Sequence, residues 1–150
     1  MDRVVKVYLA APMLGDRSNL AHTRAVLEFL ESRGYSVTTG DWIAEEVLDV
    51  ERGTQPAEIF ERDIRALEES DVLVADVSYP SLGVGFEIAY ALVKGKPVIA
   101  YCKRGRLEKT SALIRGISWE GFELLVYSEL RELLTALEGE LRKAAKRLGI

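Results

Sequence analysis

The stretch Ser78-Tyr-Pro-Ser-Leu-Gly-Val-Gly-Phe-Glu87 brings together a hydroxyl at Ser81, two glycines at Gly83 and Gly85, and a carboxylate at Glu87. Glycine lets backbone approach a ligand, and a carboxylate in the first turn of a helix, where Glu87 is expected, is favoured as an anion. A second carboxyl, Asp63, has apolar neighbours at Ile59, Phe60, Ile64 and Leu67, on or beside a helix face that should pack inward. Two carboxyls of unequal protonation are what glycosidic cleavage requires, one to attack or stabilise the cationic sugar carbon and one to protonate the departing group. Position would make Glu87 the nucleophile and Asp63, flanked and partly buried, the acid. Plainer readings fit the same residues. Pro80 and Gly83 can build a turn with Glu87 only complementing a helix dipole, and Asp63 can be a surface carboxylate paired with Arg62.

Thr110 and Ser111 stand at the expected start of a short helix, where free backbone N–H groups suit an anion, although either could serve only as a cap. Tyr8 is expected at the end of the first strand, pointing to the crevice. Trp42 and Trp119 could stack on a base but are read as ordinary packing. His22 is read as a surface or packing residue in the first helix, and Cys102, inside an apolar run, as a buried core thiol. Ser-His-Asp and Cys-His chemistry gain no support, and no cluster has metal-ligand spacing.

These residues need a scaffold. Val4 to Leu9, Tyr35 to Thr39, Asp71 to Val77, Pro97 to Tyr101 and Glu123 to Tyr127 read as strands. Helical period appears from Ser18 or Asn19 to Gly34, Ala57 to Ser70, Phe86 to Lys94, near Thr110 to Arg115, and Glu129 to Leu148. Gly40 to Pro56 is expected as a long loop with a short helical piece, and Lys103 to Lys109 as a polar, basic loop. Alternation of strand and helix predicts an α/β, flavodoxin-like, doubly wound parallel sheet of order 2-1-3-4-5, in one domain spanning residues 1–150. Its switch point lies between strands one and three, so ligands should bind past Leu9 and Val77.

At 150 residues and 48 % apolar, the chain is long enough for a proper core. The net charge of −4, with Lys and Arg spread throughout, gives no basic footprint for a nucleic acid polymer or an anionic membrane. No apolar run approaches the roughly 20 residues of a membrane span, and no signal peptide is visible at the N-terminus. A cytoplasmic location is expected. Asn19 and Gln55 are the only carboxamides, a bias seen in heat-adapted proteins.

Four blocks in order, Val7-Tyr-Leu-Ala-Ala-Pro-Met-Leu-Gly15, Ile59-Phe-Glu-Arg-Asp63, Pro80-Ser-Leu-Gly-Val-Gly-Phe-Glu87 and Ser111-Ala-Leu-Ile-Arg-Gly116, give the chain a resemblance to the 2'-deoxynucleoside 5'-phosphate N-hydrolases. These are relatives of the nucleoside 2-deoxyribosyltransferases. The resemblance implies that Glu87 attacks the anomeric carbon to form a covalent deoxyribosyl intermediate, that Asp63 assists base departure, and that Tyr8 lies near the sugar and Glu87. It places Met13 and Ile59 at the base, and backbone groups of Ala11, Leu14 and Gly15 along the substrate that Gly83 and Gly85 are also expected to approach. Ser81 and Ser111 become 5'-phosphate ligands, with Ser111 reaching into the neighbouring subunit's site of a homodimer. Base-exchanging relatives place an acid at the position of Ser81, which would repel a phosphate that a hydroxyl can bind. The hydrolases often carry arginine where this chain has Leu14, so Arg17 is a candidate replacement. No metal or cofactor is implied. The alternatives are a nucleoside 2-deoxyribosyltransferase and a non-catalytic nucleotide-binding module.

Overall fold

The computed structural model describes residues 3–12, 18–39 and 53–150. In chain order the elements are β1 (Lys6–Ala10), α1 (Leu20–Ser32), β2 (Ser36–Val37), α2 (Pro56–Glu69), β3 (Val72–Asp76), α3 (Leu82–Val93) and β4 (Val98–Lys103). A 3-10 helix (Arg104–Lys109), α4 (Ala112–Arg115), β5 (Phe122–Tyr127) and α5 (Leu130–Arg147) complete those of the described residues. Every strand pairing is parallel and the order is 2-1-3-4-5, as the alternation predicts. One sheet with a layer of helices on each face forms a single domain.

Side chains alternate across a strand, so β1 and β3 serve both faces. Val7, Leu9, Val72 and Val74 pack with Val26 and Leu30 of α1 and Leu133, Leu137 and Leu141 of α5. Tyr8, Ala10, Leu73 and Ala75 pack with Leu67 of α2 and Val84, Ile88 and Ala91 of α3. Each such leucine or isoleucine is nearly or fully buried, and truncating one to alanine costs roughly 2–5 kcal/mol. Cys102 is buried and free. Gly34 ends α1's turn at φ 88°, a backbone region that favours glycine. Glu129 and Glu132 form a reciprocal capping box that starts α5.

Two expectations need correction. α3 begins at Leu82, not Phe86, because the Ser81 hydroxyl accepts the Val84 N–H at 3.3 Å and caps the helix there. Gly83 and Gly85 are therefore helical residues, and neither has positive φ. Residues 104–109 form 3-10 turns instead of an open loop, closed by the Thr110 N–H on the Arg106 and Leu107 carbonyls. Most of the Gly40 to Pro56 stretch lies outside the described residues, as does Trp42. No helix among the described residues is long and apolar enough to cross a membrane.

Candidate active site

Tyr8, expected at the end of the first strand, sits at the centre of β1 because the strand runs on to Ala10; it is 2 % exposed, on the face covered by α2 and α3. Its hydroxyl donates to the carboxylate of Glu87. The α3 start at Leu82 puts Glu87 in the second turn, so its carboxylate is not at the helix terminus and the macrodipole there does little for it. Burial instead pushes the Glu87 carboxyl up to about 7. The Tyr8 hydrogen bond pulls it down, the Asp63 charge adds to the rise, and Arg62 opposes it. Glu87, expected from sequence as the anion, is therefore a carboxyl that burial disposes to carry a proton. Burial, then the charges of Glu87 and Asp63, raise Tyr8 far beyond the usual phenol range, which keeps it a neutral donor.

Asp63 projects from the middle of α2 and is partly buried. Arg62 Nε lies 3.0 Å from its Oδ1, so the pairing with Arg62 and the approach to the crevice are both present. The carboxylate influences Tyr8 and Glu87 electrostatically while a guanidinium holds it in place.

A cavity of about 1600 Å³ runs over the carboxyl ends of β1 and β3 and along α2 and α3. Of the residues expected from sequence, Tyr8, Ala11, Ile59, Asp63, Ser81, Gly83, Gly85, Glu87 and Ser111 all line it. Met13, Leu14, Gly15 and Arg17 lie outside the described residues. Ser81 and Ser111 are both helix N-caps, accepting the N–H of Val84 at 3.3 Å and of Ile114 at 3.4 Å. A capping hydroxyl uses its oxygen as acceptor and retains its proton to donate to an anion. The capping reading and the ligand reading are therefore compatible.

The cavity exceeds the roughly 300–1,000 Å³ of a common small-molecule pocket. It does so because it continues across an uncovered apolar surface, with Leu82 at 96 %, Leu113 at 82 % and Trp119 at 63 % exposure among its lining residues. Phe60 and Phe86, also half exposed, pack ring to ring at 6.3 Å on this surface. Trp119 is thus no packing residue within the chain. His22 is partly buried and its Nδ1 lies 2.7 Å from the Tyr127 hydroxyl. Asp76, which ends β3 where it borders the cavity and turns its side chain to the opposite sheet face, was not singled out by sequence; an acid closing the otherwise apolar β3 at the switch point is the signal that marks it. Among the described residues no group of three or more His, Cys, Asp or Glu could hold a metal ion.

The sequence profile of the nucleoside 2-deoxyribosyltransferases matches residues 7–127. A Thermofilum pendens protein provisionally named 2'-deoxynucleoside 5'-phosphate N-hydrolase 1 is 62 % identical over 137 residues, covering 91 % of this chain and 95 % of its own. The Mus musculus 5-hydroxymethyl-dUMP N-hydrolase is 34 % identical over 131 residues, covering 82 % and 72 %. Among solved structures, Clostridium botulinum CMP N-glycosidase, BcmB, is similar with a TM-score of 0.65 at 24 % identity, over 89 % of this chain and 98 % of that one, a likeness of fold.

Proposed function

Because this chain belongs to the nucleoside 2-deoxyribosyltransferase family, a family of enzymes, we propose that it hydrolyses the N-glycosidic bond of 2'-deoxynucleoside 5'-monophosphates. The products are a free nucleobase and 2-deoxyribose 5-phosphate. The observation that carries the reading is the Tyr8–Glu87 hydrogen bond beside Asp63, inside the cavity at the switch point. The names of the relatives from Thermofilum pendens and Mus musculus support the substrate class.

Glu87 and Asp63 share a proton, and the site works with one proton between them. In the free protein burial favours its place on Glu87. On reaction it passes through Asp63 to the departing base, while the Glu87 carboxylate oxygen bonds to C1' and the C1'–N electron pair leaves with the base. Water then attacks C1', the ester bond to Glu87 breaks, and the water proton returns to the pair. Tyr8 orients the Glu87 carboxylate for attack. A 2'-deoxyribosyl cation lacks the inductive brake of a 2'-hydroxyl, so this pathway suits deoxyribose.

Ser81 and Ser111 donate to the 5'-phosphate, Ile59 and Met13 border the base, and Ala11, Leu14, Gly15, Gly83 and Gly85 border the substrate. Arg17 supplies the first-loop cation. The chain acts as a homodimer with Ser111 contributed across the interface. The uncovered face with Leu82, Phe86, Leu113 and Trp119 supports this, since contiguous apolar surface of that kind marks a contact. No membrane or nucleic acid polymer takes part, and the protein works in the cytoplasm.

The test is release of free base and deoxyribose 5-phosphate from the four standard deoxynucleoside monophosphates, set beside the nucleosides and ribonucleotides. Turnover confined to deoxynucleotides is expected. Base exchange on unphosphorylated nucleosides would move the assignment to a transferase, and binding without turnover to a nucleotide-binding module.

A further inference from the structure

On the sheet face opposite Tyr8, a buried polar cluster closes the carboxyl ends of β3, β4 and β5. Its centre is Asp76, the last residue of β3 and 1 % exposed. Asp76 Oδ1 accepts the Ser78 N–H at 2.9 Å, and Oδ2 accepts the Asn19 amide at 3.1 Å and the Thr23 hydroxyl at 3.4 Å. Burial pushes the Asp76 carboxyl above its usual range, and these hydrogen bonds oppose that rise.

Asn19 shows that the arrangement is costly. It occupies the N-cap of α1, where an asparagine side chain commonly accepts a backbone N–H, yet it makes no cap bond. Its amide is committed to Asp76 and, at 3.2 Å, to the Tyr127 hydroxyl, while its Oδ1 is buried with no partner among the described residues. A forgone cap and an unpaired buried acceptor at one residue call for an explanation.

Ser78 supplies it. This residue is fully buried and held at three points: its N–H on Asp76, its Oγ accepting the Lys103 N–H at 2.9 Å, and its carbonyl accepting Arg106 Nε at 3.0 Å. Ser81 follows three residues later and starts α3. We propose that Asp76 is a positioning residue for substrate binding, bracing the β3–α3 turn that carries Ser81 against Asn19 at the N-terminus of α1. The inference rests on the reading of Ser81 as a phosphate ligand. Asp76 acts through Ser78, while Tyr8 and Glu87 meet on the other face of the sheet. Loosening the brace therefore weakens binding and leaves the chemical step.

The experiment compares wild type, Asp76→Ala and Asn19→Ala, with deoxynucleoside monophosphate turnover and amide hydrogen exchange as readouts. Both variants are expected to raise KM roughly tenfold or more with kcat within about threefold of wild type. Exchange over residues 78–84 should quicken in Asn19→Ala, although the substitution lies on another element. A merely structural role lowers kcat through loss of folded enzyme and leaves KM alone; that result, or unchanged kinetics, overturns the proposal. If wild type turns over no deoxynucleotide, the reading of the reaction fails, and the exchange of residues 78–84 alone decides for or against the brace. Should Asp76→Ala not fold, Asn19→Ala carries the same comparison.

Discussion

The hydroxyl of Tyr8, at the centre of β1, donates to the carboxylate of Glu87, 79 positions later in the second turn of α3. This bond lowers the Glu87 pKa against the larger effect of burial, which holds it at about 7. If the reactive state carries one proton on the Glu87–Asp63 pair, kcat/KM falls as pH rises through about 7, because the last proton is lost there. The substrate phosphate, whose second ionisation lies near 6, is already dianionic on that limb. Tyr8→Phe removes the bond that favours the anion, so the limb should move to higher pH, with kcat reduced roughly 10- to 100-fold by loss of orientation. Full pH profiles of both proteins measure this. A limb that rises through pH 7, or that shifts downward in Tyr8→Phe, counts against it.

The same carboxyl affects stability. Its folded pKa of about 7 lies above its ordinary value of 4.5, so the folded state binds more protons than the unfolded between those values. The stabilising contribution is complete below pH 4.5 and is lost as pH rises through 7. Glu87→Gln removes the dependence. It should leave melting near wild type at pH 5 and raise stability by roughly 2 kcal/mol at pH 8, several degrees in Tm for a chain of this size. Thermal melts of both proteins at the two pH values provide the check, and equal shifts at both would exclude a buried, high-pKa Glu87.

Ser81→Asp separates phosphate recognition from folding. Aspartate is as good an N-cap as serine, so α3 should keep its start. The added carboxylate opposes a 5'-phosphate, and kcat/KM for the deoxynucleotide should fall roughly 100-fold while that for the unphosphorylated nucleoside changes little. Equal losses on both substrates would place Ser81 away from the phosphate.

The strands were legible because Val72 to Ala75 and Val98 to Cys102 are apolar runs of parallel-sheet type, buried on both faces. Glu87, Asp63 and Ser81 were legible as candidates because they fall in the loops and helices flanking the switch point. The start of α3 was not, since Gly83 and Gly85 weaken helical pattern where Ser81 in fact nucleates it. Nor was the raised pKa of Glu87, because nearness to a helix terminus argues for an anion and only desolvation in the folded site reverses the sign. Asp76 escaped notice for a related reason. Its hydrogen-bond partners come from α1 and the β3–α3 turn, and that convergence exists only once the chain is folded.

If Ser111 serves the neighbouring subunit's site, Glu87→Ala and Ser111→Ala damage different halves of each site. A mixed dimer then contains one site with both substitutions and one with neither. Mixing the two variants under subunit exchange should restore about a quarter of wild-type activity, since about half of random dimers are mixed and each has one intact site. Activity equal to the sum of the separate variants would mean that Ser111 acts within its own chain, or that no dimer forms.

The most direct test of the central claim is release of free base from a deoxynucleoside 5'-monophosphate by wild type and Glu87→Ala at neutral pH. Loss of the nucleophile predicts a fall in kcat of at least about 1000-fold, with the deoxynucleotide still bound. A Glu87→Ala protein that keeps a tenth or more of the wild-type rate would contradict the account.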